Sequence, residues 1–278
     1  MFGRNLYSRK FFAHMREGSA ASARALAPII LGIYPARSIV DVGCGIGTWV
    51  RAFAEAGATN AVGIDGTYVD RSQLAIDARQ FIACDLNREL DTADLCRRYA
   101  DKESGRFDLV ISLEVAEHLE PARSDSLVRD LCALADVVLF AAAVPFQGGA
   151  GHINERWQSW WAAKFVDNGY DPFDVLRRDI WGMPGIAWWY KQNMIFYVKR
   201  NSPAHAKFAA RFAKSSDAMF DLVHPELFRG KVSRLKNGNI VQKLLNRFRQ
   251  SAGEPRGRIL ETPLWGDEDW QRSPGKKN

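Results

Sequence analysis

Within the ten residues SLEVAEHLEP, 112–121, two carboxylates and an imidazole are spaced for chemistry: Glu114, Glu117 and His118. They stand at i, i+3 and i+4, which on a helix puts all three on one face. Three uses are open to them. With His152, from the loop GGAGHINE 34 residues further on, they form a divalent-metal site. Two carboxylates and two imidazoles suit Mn, Fe or Zn ions, and Mg less well. Without a metal, His118 or His152 is a general base for a bound hydroxyl. Failing both, the acids favour a helix N-terminus and His118 is a packed core residue. His152, flanked by flexible glycines just past an apolar strand, fits a core poorly, and this favours the first two uses.

A second concentration of chemistry is DVGCGIG, Asp41 to Gly47. Its glycines are spaced GxGxG, not the GxGxxG of dinucleotide-binding folds. Gly43 and Gly45 allow the backbone to approach a ligand with no Cβ in the way. The helix N-terminus behind them favours a carboxylate. Asp65 ends an apolar strand 22 residues after Gly43, where a carboxylate accepts both hydroxyls of a ribose. Asp85 follows the next strand in ACDLN, with Leu86 beside it. Taken singly, both acids are equally well read as strand-end turn residues.

On these residues the chain resembles the class I S-adenosylmethionine-dependent methyltransferases, whose first motif is an acid followed by xGxGxG. The resemblance runs over residues about 5–200, through SIVDVGCGIGTWV, GIDG, CDLN, SLEVAEHL, GHINERW and WWYKQNM in that order. It is to a bacterial branch associated with methylation of sugars and other hydroxylated metabolites. It implies S-adenosylmethionine as cofactor, held by Asp41, Gly43, Cys44, Gly45, Asp65, Gly66, Asp85, Leu86 and Leu113. Within that set Asp65 would take the ribose, Asp85 the adenine amino group, and Leu86 the face of the base. The set Glu114, Glu117, His118 and His152 is similar to the metal ligands of the small-RNA 3′-end 2′-O-methyltransferases and of some ubiquinone-pathway O-methyltransferases. The resemblance therefore implies O-methylation of a small hydroxylated acceptor, a saccharide or secondary metabolite, with His118 and His152 as catalytic residues. Two rivals stand beside it: an RNA 2′-O-methyltransferase with the same metal set, and a non-catalytic adenosylmethionine-binding or scaffold protein.

These residues need elements to position them. Strands are expected at 38–43, 60–65, about 80–86, 107–113 and 136–145, with a sixth in FDVLRRDIW and a seventh over 188–200. Helices are expected at 18–31, ending near a proline, at 47–57 and 88–102, as one or two over 115–135, and at 154–169. Strands alternating with helices imply an α/β, Rossmann-like, doubly wound and mostly parallel seven-stranded sheet. The organisation expected is a helical lead-in (1–37), the cofactor domain (38–200) and a basic helical extension (201–278) whose last part is a poorly ordered tail.

An acceptor pocket is expected after the fifth strand. QGGAG (147–151) reads as a hinged lid. Asn154, Glu155, Gln192 and Asn193 are candidates for hydroxyl hydrogen bonds, Glu155 alternatively capping the helix that follows it. Trp157, Trp160 and Trp161 are expected mostly to pack on the sheet, with one or two aromatics among these and Trp181, Trp188, Trp189 and Tyr190 lining the pocket.

Composition bounds the partners. Residues 201–278 carry 15 Lys and Arg against 8 Asp and Glu, a net +7, whereas residues 1–200 carry a net −1. The cofactor domain thus has no basic excess, and no RNA-binding module is recognisable in the extension, which disfavours a nucleic-acid partner. No apolar run reaches the ~18 residues of a membrane span. Four cysteines without CxxC pairing and the lack of a secretory signal pattern point to a reduced cytoplasm.

Overall fold

The computed structural model describes residues 9–212 and 220–238. Seven strands form one sheet: β1 Ser38–Val42, β2 Asn60–Asp65, β3 Phe81–Ala83, β4 Leu109–Leu113, β5 Val137–Ala141, β6 Tyr170–Phe173 and β7 Ile195–Lys199. The helices are α1 Arg9–Ile33, α2 Thr48–Glu55, α3 Thr92–Tyr99, α4 Ser124–Leu134, α5 Gln158–Asp167, α6 Arg177–Ile180, α7 Trp188–Asn193, α8 Pro203–Arg211 and α9 Pro225–Gly238. The sheet order is β3-β2-β1-β4-β5-β7-β6, parallel except for β7, which runs antiparallel to both β5 and β6. The expected doubly wound, mostly parallel sheet is what forms. The chain divides into a unit Met1–Phe228 and a unit Arg229–Asn278.

The central strands are buried on both faces, so their sequences are nearly continuous runs of β-branched and aliphatic residues. Alternation along each strand feeds two cores. Ile39, Leu109, Ile111, Leu139 and Phe196 face one core, which α1, α2 and α8 cover. Val40, Val42, Val110, Val138, Phe140 and Tyr197 face the other, which α3, α4 and α5 cover. Strand order reverses between β1 and β4, whose pairing joins Ile39 to Leu109 and Asp41 to Ile111. Such a reversal opens a crevice outside the strand carboxyl ends. DVGCGIG leaves β1 and SLEVAEHL leaves β4 on its two sides.

Several elements depart from expectation. α1 starts earlier than expected and runs through Pro28. Ala23, Leu26, Ala27 and Ile30 are fully buried at i, i+3, i+4 and i+7, and that burial outweighs the proline's missing hydrogen bond. Residues 88–91 are not helical; α3 starts at Thr92, on the Asp91 side-chain cap. The sixth strand lies before the segment proposed for it. Gly169, at φ 84°, ends the α5 region and β6 starts at once. β6 is an edge strand, the place where its Pro172 is tolerated. FDVLRRDIW instead turns into α6, with Arg177 paired to Asp174 at 2.6 Å. Residues 188–193 form α7, not the start of the seventh strand; WWYKQN has no period-two alternation to hold it in a sheet. The expectations for residues 239–278 lie outside the described residues.

The tryptophans at the start of α5 and within it divide. Trp161 is fully buried against Phe140, whereas Trp157 and Trp160 are about one-third exposed. Trp160 lies under the Arg156 and Lys164 cations at 5.1 and 4.1 Å. Trp161→Ala is therefore expected to cost about 3–5 kcal/mol, and Trp160→Ala about 1 kcal/mol. Urea denaturation of the two variants measures the difference, and equal losses would contradict this division.

Candidate functional site

The glycine turn after β1 divides its work between packing and openness. Gly43 has φ 91°, and a Cβ there would overlap the Val115 side chain. Its role inside the protein is to let β1 lie against the segment leaving β4. Gly45, at φ 55°, faces open space, and it is here that a ligand can reach the backbone. Asp41, behind the turn, is almost wholly buried, and its Oδ2 has no hydrogen-bond partner. Burial, and secondarily the charge of Asp65, raise the Asp41 pKa well above its ordinary value.

Asp65 ends β2 beside this turn. It accepts hydrogen bonds from the Gly45 and Gly66 amides, both at 2.6 Å, and from the Tyr68 hydroxyl. Gly66 lies under the Tyr68 ring, which a Cβ there would strike. Asp85 follows β3 and is exposed, its carboxylate accepting from the Asn87 amide at 3.1 Å. Leu86 is buried beside it. Arg123 fixes this corner: it is almost fully buried, donates to the Leu86 carbonyl at 3.0 Å and to Ser126 Oγ at 2.6 Å, and pairs with Asp130. Leu113 is buried at the end of β4. Cys44 is buried too, and burial pushes its thiol pKa up strongly, which makes it inert.

The chain does not continue from β4 into an α-helix. Glu114 takes φ 59°, a left-handed conformation uncommon outside glycine. A single 3-10 turn, Ala116–His118, follows. The i, i+3, i+4 helical face expected for Glu114, Glu117 and His118 is therefore absent. The break at Glu114 turns its carboxylate to other partners. Asn193 Nδ2 donates to Oε1 at 2.8 Å and Gln147 Nε2 donates to Oε2 at 2.7 Å. Behind them the amides continue: Gln192 donates to Asn193 and Gln147, and its Oε1 accepts from the His224 amide at 2.8 Å. Burial dominates the Glu114 environment and raises its pKa from 4.5 to about 7.

Glu117, His118 and His152 do come together, with one ligand atom from each lying within 4.8 Å of the others. The imidazoles meet edge to face, 4.7 Å between centroids. Glu117 is 0% exposed, and neither carboxylate oxygen has a hydrogen-bond partner. Burial, then the charge of Glu114, raise its pKa well above the ordinary value, which the nearby backbone amides of Glu117 and Ala143 offset only in part. The Glu117 carbonyl anchors the opposite loop by accepting from the Ile153 and Asn154 amides at 2.8 and 3.0 Å. Burial and the neighbouring His152 lower the His118 pKa, so its imidazole is neutral near pH 7. A buried carboxylate and two imidazole nitrogens, with no Lys or Arg paired to that carboxylate among the described residues, form a donor set that a divalent transition-metal ion fits. Glu114 stands outside this cluster.

The loop after β5 is more tightly held than a free hinge. Gln147 is buried on Glu114, while Glu155 accepts from the Phe146 and Gly148 amides and bonds to His152 Nδ1. Glu155 does not cap α5, which starts at Gln158. Asn154 is buried and bonds to the Ala116 carbonyl and Ser124 Oγ. Asn154, Gln192 and Asn193 thus lie in buried networks behind the site. Tyr68, Arg123, the Gln147 contact to Glu114 and the clamp by Glu155 are site features that the sequence reading misses. For Tyr68, the nearest signal is an aromatic three residues past a strand-end acid.

A family model described as a methyltransferase domain matches residues 11–194. Among curated proteins, the chain is 28% identical over 139 residues to a ubiquinone biosynthesis O-methyltransferase of Bartonella tribocorum. The match covers 48% of each protein, so the chain spans about half the length of the curated relative it matches. Among solved structures, a sugar N-methyltransferase from Streptoalloteichus shares the fold, with a TM-score of 0.50 at 17% identity over 72% of this chain and 96% of that one. An amino pentose methyltransferase from Micromonospora echinaspora aligns with a TM-score of 0.46 at 16% identity, over 71% and 100%. The glycine turn at the strand reversal, the acid ending β2 and a family match over well over half its length agree: this chain belongs to the methyltransferase-domain family of class I S-adenosylmethionine-dependent enzymes.

Proposed function

We propose that this chain transfers a methyl group from S-adenosylmethionine to a hydroxyl oxygen of a small acceptor, a saccharide or secondary metabolite. One observation carries the hydroxyl-directed part of the reading: Glu117, wholly buried and unpartnered, lies beside two imidazoles at the strand reversal. Acceptor nitrogens of amino sugars need no such device at neutral pH once unprotonated, whereas an alcohol must lose its proton as it reacts.

On this reading Gly45 leaves room for the methionine end of the cofactor, and the start of α2 favours its carboxylate. Asp65 accepts from the ribose, with the Tyr68 hydroxyl, now on the same carboxylate oxygen as the Gly66 amide, giving way or sharing. Asp85 meets the adenine amino group, and Leu86, held from behind by Arg123, packs on the base. Bound S-adenosylmethionine supplies an activated sulfonium methyl carbon, so alignment and exclusion of water provide much of the rate. Glu117, His118 and His152 would hold a divalent ion of the Mn, Fe or Zn type, which supplies a Lewis acid that lowers the pKa of a bound hydroxyl. Glu114 lies beside that cluster and orders the amides of Gln147 and Asn193. His118, neutral near pH 7, presents a lone pair to the ion or to the acceptor proton.

Calorimetry with S-adenosylmethionine tests the cofactor part. Binding is expected, and Asp65→Ala should weaken it by more than about tenfold, the loss of a charge-assisted pair of hydrogen bonds. Binding of NADH with none of S-adenosylmethionine would overturn the assignment.

A methyl-transfer screen on hydroxylated acceptors, with and without chelator, tests the metal. Chelation, Glu117→Gln and His152→Ala should each cut turnover on the order of 100-fold. Turnover unmoved by EDTA and by Glu117→Gln sinks the ion.

The raised pKa of Glu114 gives a pH signature in the metal-free protein. The folded state holds a proton that the unfolded state releases above 4.5, so this group's stabilisation is complete below 4.5 and lost as pH rises to about 7. The melting temperature of chelated protein should fall across that window, and Glu114→Gln should flatten the profile. A melting temperature that rises through the window in the wild type, and rises equally in Glu114→Gln, contradicts the protonated buried carboxyl.

A further inference from the structure

The loop after β5 and the imidazole of His152 share one carboxylate. Glu155 Oε1 accepts from the Gly148 amide at 2.6 Å and lies 2.9 Å from His152 Nδ1. Glu155 Oε2 accepts from the Phe146 amide at 2.8 Å. Between those two anchored residues, Gln147 reaches the other way and donates to Glu114. The His152 side chain and the Glu155 side chain are both largely buried. Gly149 leaves the space that the His152 ring occupies: a Cβ at that position would strike its Nε2. Phe146 is held at φ 67°, a left-handed conformation for a bulky residue, on the segment whose amides Glu155 binds.

We propose that Glu155 is a positioning residue: it holds His152 in the tautomer with its proton on Nδ1, so that Nε2, the nitrogen not bonded to Glu155, carries the lone pair available to the cluster with Glu117 and His118, and it makes the order of residues 146–148 and the aim of that lone pair a single event. An ionised carboxylate only accepts hydrogen bonds. With both loop amides and the imidazole on it, all three contacts demand a donor, so the Nδ1 nitrogen must be the protonated one. The opposite tautomer would set a lone pair against a carboxylate and a proton against the donor cluster. A carboxylate behind a ligating imidazole also raises its basicity and fixes its ring plane. This inference rests on the reading of His152 as a ligand or base in the site described above.

The isosteric substitution Glu155→Gln tests it. A glutamine amide offers one acceptor oxygen and one NH2 donor. Placed on the same loop, its NH2 can donate to Nδ1, which favours the proton on Nε2. The first readout is the tautomer of His152, taken from long-range 1H–15N spectra of uniformly labelled, metal-free protein at about pH 8, where imidazole is neutral. The His152→Asn spectrum assigns the signal among the five histidines of the chain. The wild type should show the Nδ1–H form, and Glu155→Gln should shift towards Nε2–H. The second readout is Co2+ affinity followed by its visible absorption, expected to fall on the order of 10–100-fold in Glu155→Gln. An Nε2–H tautomer in the wild type overturns the proposal. So does a Glu155→Gln protein that melts at a lower temperature yet keeps the wild-type tautomer and Co2+ affinity, since Glu155 would then only brace the loop. A wild-type protein that binds no Co2+ removes the metal from the proposed function, and the tautomer measurement alone then decides the role of Glu155.

Discussion

A carboxylate buried with no well-formed hydrogen bond to either oxygen is among the most costly groups a fold can bury, and Glu117 is in that position. The cost is of the order of several kcal/mol for an ion left uncompensated. A chain has two escapes: keep a proton on the group, or bring a cation to it. The surroundings of Glu117 prepare for both. Its pKa is raised well above the ordinary value, which favours a proton on it in the metal-free fold. Two imidazoles stand within ligand distance, so a cation has somewhere to bind. Much of the segment between β5 and α5 is organised around this point. Ile153 and Asn154 hang from the Glu117 carbonyl, Gln147 and Asn193 secure the neighbouring Glu114, and Glu155 secures His152.

The sheet supplies the second condition, which is nearness to the cofactor turn. Because β1 and β4 are neighbours at the reversal of strand order, two segments far apart in sequence leave the sheet side by side. Gly43 gives up its side chain so that Val115 can pack against it. That one contact sets the glycine turn against the turn bearing Glu117 and His118. A larger residue at either position would wedge the two halves of the crevice apart.

The sequence was most readable where local chemistry and fold coincide. The glycine spacing, the acids after β2 and β3, and the strands of the parallel core follow from short-range pattern, and β2 falls on the residues expected. The reading failed where tertiary contacts override local pattern. Glu114, Glu117 and His118 carry helical spacing, but the left-handed backbone at Glu114 breaks it and sends that side chain into a buried amide network. WWYKQN looks apolar enough for a strand, yet its polar half is needed in that same network, 79 residues from Glu114. Glu155 offered two local readings, a hydroxyl ligand and a helix cap. Its partners are two loop amides and an imidazole, a combination that no spacing rule encodes. The cofactor half of the site is thus mostly a local motif, and the half around Glu117 is mostly long-range packing.

The segment just after the second stretch of described residues begins has a bearing on how this fold can be cut. Phe220 is fully buried in the core beneath α5, and its carbonyl accepts from the buried Arg177 guanidinium at 2.7 Å. Asp221 accepts from the Ser159 amide and hydroxyl, supplying the start of α5 with the cap that its own sequence lacks. His224 closes the amide chain that begins at Glu114. All of this lies beyond residue 194, where the family match stops. A fragment trimmed to the matched region would lose β7 from the sheet and, with this stretch, a keystone from the rear wall of the crevice: Gln192 would lose the His224 amide and Arg177 the Phe220 carbonyl. Modularity in this chain is therefore spatial: the part that must travel with the catalytic sheet includes a short stretch of polypeptide that a boundary drawn by sequence likeness leaves behind.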